Sequence, residues 1–137
     1  MKKLIIASIC FGLAACASTP TVEEAVAAYH TELNAPYKET LREQITEECA
    51  QVNYRDNAVK AHCYVADDVI VYEYRLLKFS MQWNAQAAAK ITKRLLKQYC
   101  EDLSDEPLKY GFGLLVDLKG RNGFVGKVNT YQDCLAL

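Results

Sequence analysis

The chain has 137 residues, of which 51% are hydrophobic, and its 16 basic residues nearly balance 17 acidic ones. This length is sufficient for one domain with a core of its own. The balanced charge lacks the basic excess that is typical of nucleic-acid-binding proteins, so we expect no nucleic-acid partner.

The first 15 residues have the pattern of an export signal. Lys2 and Lys3 precede the apolar run LIIASICFGL, residues 4–13. Ten apolar residues are too few to cross a bilayer core of roughly 30 Å, which needs about 20. A basic start, a short apolar run and small residues before the cut are typical of a secretory leader. We therefore predict that residues 1–15 are removed.

The apolar run ends in LAAC, residues 13–16. This tetrapeptide resembles the lipobox of bacterial lipoproteins. The resemblance implies that the Cys16 thiol receives a diacylglycerol and that cleavage before it exposes an amine that is acylated too. Several acyl chains anchor a protein far more stably than one. An ordinary leader cut at a nearby small residue is the alternative.

The resemblance also has consequences for location. Residues 16–20 become a lipidated tether, and the lipid bilayer becomes a partner through Cys16. In the lipoprotein family an Asp directly after the cysteine favours retention in the inner membrane, but here Ala17 and Ser18 follow. We expect the periplasmic face of the outer membrane.

The predicted mature chain has 122 residues, with 14 basic against 17 acidic, a net charge of −3. Four cysteines remain in it: Cys49, Cys63, Cys100 and Cys134. An even number in an exported domain indicates two disulfides, for which three connectivities exist. A zinc or dithiol redox site would favour a CxxC pair, and the sequence has none. We expect neither metal nor cofactor.

Helices are predicted at the start of this domain. Thr21 has Glu24 three residues on, a capping-box pattern that opens a helix with apolar residues at helical spacing. Pro36 suits the first turn of a second helix, which we expect to end before Cys49. One kinked helix over residues 21–47 is the alternative.

Strands follow, because the apolar period changes to two. Two short strands are predicted near residues 52–54 and 59–65, and a longer one over 69–79. Residues 84–100 have the best helical pattern, with Asn84 as a cap. A hairpin of 110–118 and 124–131 ends the chain.

This order predicts an α+β fold. We expect a single domain over residues 21–137, with an antiparallel sheet of about four to five strands and with the N-terminal helices and one central helix packed on one face. In that layout Cys100 ends the central helix and Cys134 ends the last strand, while Cys49 and Cys63 flank the earlier hairpin. The favoured pairs are therefore Cys49–Cys63 and Cys100–Cys134.

Catalytic patterns are missing. No serine lies in a GxSxG elbow, and the paired carboxylates, such as Asp67 and Asp68, are adjacent and do not converge on a helix face. His30 on a helix face and His62 within a strand suit solvated or packed positions better than catalytic ones. We expect a protein that is not an enzyme.

The C-terminal half carries a second resemblance. The strand VIVYEYRL, the helix ending KQYC, the hairpin YGFGLLVDLKGRNG and the final Cys134 resemble the α/β pilotin lipoproteins of type II secretion systems and related small exported proteins. The likeness covers roughly residues 68–134; the pair Cys49 and Cys63 departs from the pilotin pattern. It implies a lipid-anchored chaperone that holds a C-terminal helix of secretin subunits in a groove beside the sheet and delivers them to the outer membrane.

The predicted binding surface is the groove between the long helix and the strand at 69–79, where an apolar groove can capture a peptide without catalysis. The leading hypothesis is thus a periplasmic binding or accessory protein of an envelope secretion complex. The alternative is an immunity or inhibitor protein that blocks a toxin or hydrolase in the periplasm. A purely structural envelope lipoprotein is the third reading.

The lipid anchor can be tested directly. Cys16→Ser removes the thiol that accepts the lipid, so the protein is expected to lack the added acyl mass. Cys10→Ser, which changes a cysteine inside the leader, is expected to leave that mass in place. Mass spectrometry of the envelope-purified proteins measures both. A wild-type protein with an unmodified residue 16 would contradict the prediction.

Overall fold

The computed structural model describes residues 19–29, 35–102 and 106–137. Within these ranges the chain forms α1 (Val22–Ala28), α2 (Ala35–Ala50), β1 (Asn53–Arg55), β2 (Val59–Ala66), β3 (Val69–Leu76), α3 (Ala85–Lys97), α4 (Glu106–Lys109), β4 (Gly113–Lys119) and α5 (Tyr131–Leu135). A π-helical turn, Gln98–Asp102, continues α3. None of the helices within the described ranges is long and apolar enough to cross a membrane. The predicted leader, residues 1–15, together with Cys16 and His30, lies outside the described residues.

The strands form one four-stranded sheet in the order β1-β2-β3-β4. This confirms the predicted α+β class. The pairs β1–β2 and β2–β3 are antiparallel, but β3 and β4 are parallel, so the expectation of a wholly antiparallel sheet is wrong for the last pair. Parallel neighbours need a crossover, and α3 supplies it between β3 and β4.

The predicted C-terminal hairpin is only partly formed. The segment after β4 runs back along it and joins it by two isolated antiparallel bridges, Leu114 to Asn129 and Asp117 to Val125. The Gly126 N–H still donates to the Val116 carbonyl at 2.8 Å. The chain then forms α5 instead of a strand end. Cys134 therefore lies on a short helix, not at the end of a strand.

The sheet is covered on both faces. Ile70, Tyr72 and Tyr74 of β3 pack in one core with α2 and α3, whereas Val69 and Val71 pack in a second core with α1. Side chains alternate between faces along a strand, and β3 is apolar on both. The prediction that all the helices pack on one face is therefore wrong for α1. Its apolar stripe covers the second face.

Helix α1 begins as its sequence predicts. The Thr21 hydroxyl accepts from the Glu24 N–H at 3.2 Å, and the Glu24 carboxylate accepts from the Thr21 N–H at 2.8 Å. This capping box satisfies two backbone donors at the helix start. Farther on, Tyr29 donates its hydroxyl to the Gly111 carbonyl at 2.5 Å, which ties the end of α1 to the loop before β4.

A carboxylate in the β2–β3 turn holds α2. Asp68 is buried, and its two oxygens accept from Lys38 Nζ at 2.6 Å and from Arg42 Nη2 at 3.0 Å. Arg42 also donates to the Asp67 carbonyl at 2.7 Å. A buried charge needs such partners. The sequence gives no sign of this role, since Asp67 and Asp68 are adjacent carboxylates in a turn, but Asp68 is part of an ion-pair cluster.

Two disulfides brace the helices. Cys49 of α2 is bonded to Cys63 of β2 with a Cα–Cα distance of 4.8 Å, and Cys100 in the π-helical turn is bonded to Cys134 of α5 at 5.6 Å. These are the favoured pairs. The first, however, joins a helix to the sheet, because α2 continues past Cys49. With sequence separations of 14 and 34 residues, the chain-entropy account gives about 3–4 kcal/mol for each bridge.

The ion-pair cluster can be tested with neighbouring substitutions. Asp68→Asn removes the charge that pairs with Lys38 and Arg42, so the free energy of unfolding is expected to fall by about 1–2 kcal/mol, since the cations are partly screened by solvent. Asp67→Asn is the control: Asp67 contributes only its backbone carbonyl and has a positive φ of 48°, which Asn tolerates. Urea denaturation measures both. Equal losses would contradict the assignment.

Candidate protein-binding groove

A groove lies between α3 and the sheet. Its cavity has a volume of about 460 Å³. One wall is a stripe of α3, where Ile91, Leu95 and the following Gln98 recur at helical spacing. The other surfaces come from the sheet and from the loop before α3, including Tyr72 and Trp83. The predicted groove between the long helix and the 69–79 strand is thus present.

The groove floor is aromatic, and its polar atoms have partners inside the protein. Tyr72 lines the floor, and its hydroxyl lies 3.0 Å from that of Tyr99, a buried core residue that does not line the groove; the two rings are edge-on at a centroid distance of 6.1 Å. Trp83 Nε1 donates to the Lys119 carbonyl at 2.9 Å. With these polar atoms occupied, the floor offers mainly carbon surface to a ligand.

The floor residue Tyr72 and the buried Tyr99 beside it are both held neutral. Burial raises the pKa of the Tyr99 hydroxyl far above its usual range, and the adjacent Tyr72 adds to the effect. Burial also raises the pKa of Tyr72, although the hydrogen bond with Tyr99 opposes this shift. The two neutral hydroxyls form a hydrogen bond with each other, so neither is left without a partner and no charge lies beneath the groove.

The rim of the groove carries one carboxylate, Asp56, whose oxygens already accept hydrogen bonds within the protein. Asp56 accepts from the Tyr54 hydroxyl at 2.7 Å and from the backbone N–H groups of Ala58 and Val59 at 2.6 and 2.7 Å. The hydrogen bond from Tyr54, followed by those from the backbone, lowers the pKa of Asp56. The carboxylate therefore stays ionised and shapes the β1–β2 turn.

The rim also carries an unpaired cation. Arg94 is exposed and lines the groove. Within residues 19–29, 35–102 and 106–137 it makes no ion pair or side-chain hydrogen bond. Asp56 keeps its negative charge, but its oxygens already accept hydrogen bonds from Tyr54 and the backbone, so Arg94 is the charged rim group whose hydrogen-bonding atoms are free. The groove therefore suits a segment with apolar side chains and an accompanying carboxylate.

The sequence predicted the part of the groove formed by the long helix and β3, but not the part formed by β1 and β2. The strand at 69–79 and the long helix were predicted, and Tyr72, Tyr74 and Leu95 meet there. The contribution of the short strands, through Tyr54 and Ala61, was not predicted. Their alternating pattern is visible in the sequence, but its direction toward α3 depends on strand order.

Other candidate residues lie away from the groove. His62 stacks on Tyr64 at a ring distance of 5.8 Å. In the described ranges no three His, Cys, Asp or Glu side chains come together as metal ligands. Cys49 and Cys63 brace α2 against β2, and Cys100 fixes the end of α3, so the four disulfide cysteines support the elements that surround the groove.

Comparison with known proteins relates this architecture to one solved structure. The chain is similar to the pilotin EpsS from the Vibrio vulnificus type 2 secretion system, with a TM-score of 0.52 at 12% sequence identity. The chain has a pilotin-like fold. The similarity covers 74% of this chain and 97% of the pilotin chain, so nearly the whole pilotin structure has a counterpart here. No protein-family model and no curated protein matches this sequence.

The neutral tyrosine pair makes a pH prediction. In the unfolded chain both hydroxyls titrate near the ordinary value of 10.0, and in the folded chain their pKa values are higher. The unfolded state then binds fewer protons above pH 10, so stability is full below that pH and falls as the pH rises. Tyr99→Phe removes one titrating group and is expected to make this decline shallower, by a total of about 1.4 kcal/mol at pH 11 relative to pH 8. Urea denaturation between pH 8 and 11 measures the slope, and an unchanged slope would contradict the prediction.

Proposed function

We propose that this protein is a lipid-anchored periplasmic accessory protein that binds a segment of an envelope secretion-complex subunit in the groove beside α3. It is a binding protein and not an enzyme. The aromatic groove with a single unpaired cation, Arg94, is the observation that carries the proposal. The pilotin-like fold and the LAAC sequence at residues 13–16 support it.

The chemistry of the groove favours an amphipathic helix as the bound segment. A helix places apolar residues at three- and four-residue intervals on one face, which suits a groove lined by apolar and aromatic side chains. A carboxylate at the edge of that face would meet Arg94. The resemblance to pilotins makes the C-terminal helix of a secretin subunit the candidate segment.

Preformed walls support binding of a flexible partner. The Cys49–Cys63 bridge fixes α2 against β2 just before the groove residue Val52, and the Cys100–Cys134 bridge fixes the turn that continues α3. A rigid site does not lose its own conformational entropy on binding. The ordering cost therefore falls mainly on the peptide.

Charge reversal on α3 tests the groove. Arg94→Glu replaces the cation at the rim and is expected to weaken binding of a labelled C-terminal secretin peptide, taken from the same genome, by about tenfold, or about 1.4 kcal/mol. Lys93→Glu is the matched control: it makes the same reversal one residue earlier, at an exposed position that does not line the groove. Fluorescence anisotropy measures both affinities.

Three outcomes would contradict the proposal. The first is no binding of the secretin peptide to the wild-type protein. The second is equal weakening by Arg94→Glu and Lys93→Glu, which would indicate a long-range charge effect and not a groove contact. The third is capture of a periplasmic hydrolase that Arg94→Glu abolishes, which would favour the immunity or inhibitor alternative.

A further inference from the structure

Two loops meet at one end of the sheet and form a single surface. Residues 77–83 follow β3, and residues 119–124 include the last residue of β4 and the loop after it. The Trp83 N–H donates to the Arg121 carbonyl at 3.0 Å, and Trp83 Nε1 donates to the Lys119 carbonyl at 2.9 Å. The loops meet because parallel strands end at the same edge. We call these residues the loop pair.

The loop pair is basic and exposes aromatic rings. Phe79 is fully exposed, at 101%, and Phe124 is 36% exposed. The 13 residues of the loop pair contain Lys78, Lys119 and Arg121 but no Asp or Glu. A single exposed hydrophobic residue is ordinary, whereas exposed apolar surface surrounded by polar residues is typical of an interaction site, and here two phenylalanines are exposed on one basic surface. Cations around an exposed aromatic residue suit an anionic amphipathic surface.

Most of this positive charge is free to meet an external partner. Lys119 Nζ lies 3.1 Å from the buried carboxylate of Asp117. Among the residues that the structure describes, Lys78 and Arg121 have no ion pair. Since both are exposed and stand beside Phe79 in the lining of one cavity, two unpaired cations accompany the exposed ring.

The last two residues of the N-terminal tether lie at the same end of the molecule. Thr19 and Pro20 line a cavity of about 370 Å³ together with Lys119 and Phe124. Only three residue steps separate Thr19 from Cys16, and an extended chain spans at most about 3.6 Å per residue. A lipid on Cys16 would therefore enter the bilayer within about 11 Å of Thr19. The loop pair would face that bilayer.

We propose that the loop pair is a second membrane-contact site, in which Phe79 inserts at the headgroup boundary of an anionic bilayer while Lys78 and Arg121 meet lipid phosphates. The inference rests on the proposed lipid anchor at Cys16. Aromatic residues favour the membrane interface, and each basic residue near an anionic surface adds attraction. Together the lipid and the loop pair fix the orientation of the domain.

In this orientation Tyr110 provides a comparison position away from the membrane. Tyr110 is 41% exposed and precedes β4, at the opposite end of the sheet from the loop pair. The seven residues of β4 separate the two ends by roughly 23 Å at about 3.3 Å per residue. Tyr110 would therefore stand clear of the bilayer when Phe79 contacts it.

Tryptophan depth measurements test the orientation. The lipidated full-length protein, with its lipid verified by mass, is reconstituted in phosphatidylethanolamine–phosphatidylglycerol vesicles with brominated acyl chains. Phe79→Trp is expected to show a blue shift and loss of fluorescence on these vesicles. Tyr110→Trp, the matched aromatic replacement at the other end, is expected to show neither. The signal of Trp83 is measured with the wild-type protein under the same conditions, with and without vesicles, and is subtracted.

A charge test separates lipid recognition from simple proximity. Lys78→Glu combined with Arg121→Glu, in the Phe79→Trp background, is expected to abolish the blue shift and the quenching. Lys90→Glu combined with Lys93→Glu makes the same double reversal on exposed residues of α3 and is expected to preserve both signals. Equal effects of the two double variants would overturn the proposed phosphate contacts.

The remaining outcomes also decide the proposal. Quenching at both positions, or at Tyr110→Trp alone, would overturn the orientation. A blue shift of Phe79→Trp that depends on protein concentration in detergent and is absent from vesicles would assign the loop pair to a second copy of the chain, and would overturn it too. Because every sample carries a verified lipid, these failures are distinct from the absence of lipid on Cys16.

Discussion

The burial of β3 on both faces is the constraint on which the architecture depends. Val69 and Val71 point to one side, whereas Ile70, Tyr72 and Tyr74 point to the other. Neither set can remain in water, so one face needs α1 and the other needs α2 and α3. The parallel neighbour β4 then requires a crossover, and that crossover is α3. The groove wall is a consequence of this connection.

The same connection relates the groove to the loop pair. Parallel strands end at one edge, which brings the loops after β3 and β4 together, and Trp83 belongs to both surfaces. Its ring lines the groove, while its indole N–H and backbone N–H bind the Lys119 and Arg121 carbonyls. In the proposed orientation the bound segment would therefore lie beside the bilayer.

Much of the fold could be predicted from local chemistry, and the failures have physical causes. The Thr21 capping box, the Asn84 cap of α3 and the alternation of β3 depend on neighbouring residues, so the sequence reveals them. An alternating pattern does not report strand direction, which is why the β3–β4 pair was assigned as antiparallel. Likewise, the stripe of Val22 and Val26 shows that α1 is covered without showing by which face of the sheet. Such choices depend on tertiary packing.

The site was predictable to a similar degree. Its α3 wall and β3 floor follow from periodicity. The hydrogen bonds that Asp56 accepts depend on the geometry of the β1–β2 turn, and the lack of an ion pair at Arg94 depends on which side chains the fold brings near it; composition reports neither. The role of Asp68 also escaped prediction, because adjacent carboxylates in a turn normally face solvent. Its partners Lys38 and Arg42 are about thirty residues away in α2 and become neighbours only through folding.

The central claim is that the groove beside α3 holds a secretion-complex subunit, and site-specific photo-crosslinking in intact cells tests it most directly. A photoreactive residue at Ile91, inside the groove, is compared with one at Lys93, on the exposed side of the same helix. The account predicts an adduct with the outer-membrane channel subunit from position 91 and none from position 93. Equal adducts from both positions, or an adduct from position 91 with a periplasmic hydrolase alone, would contradict it.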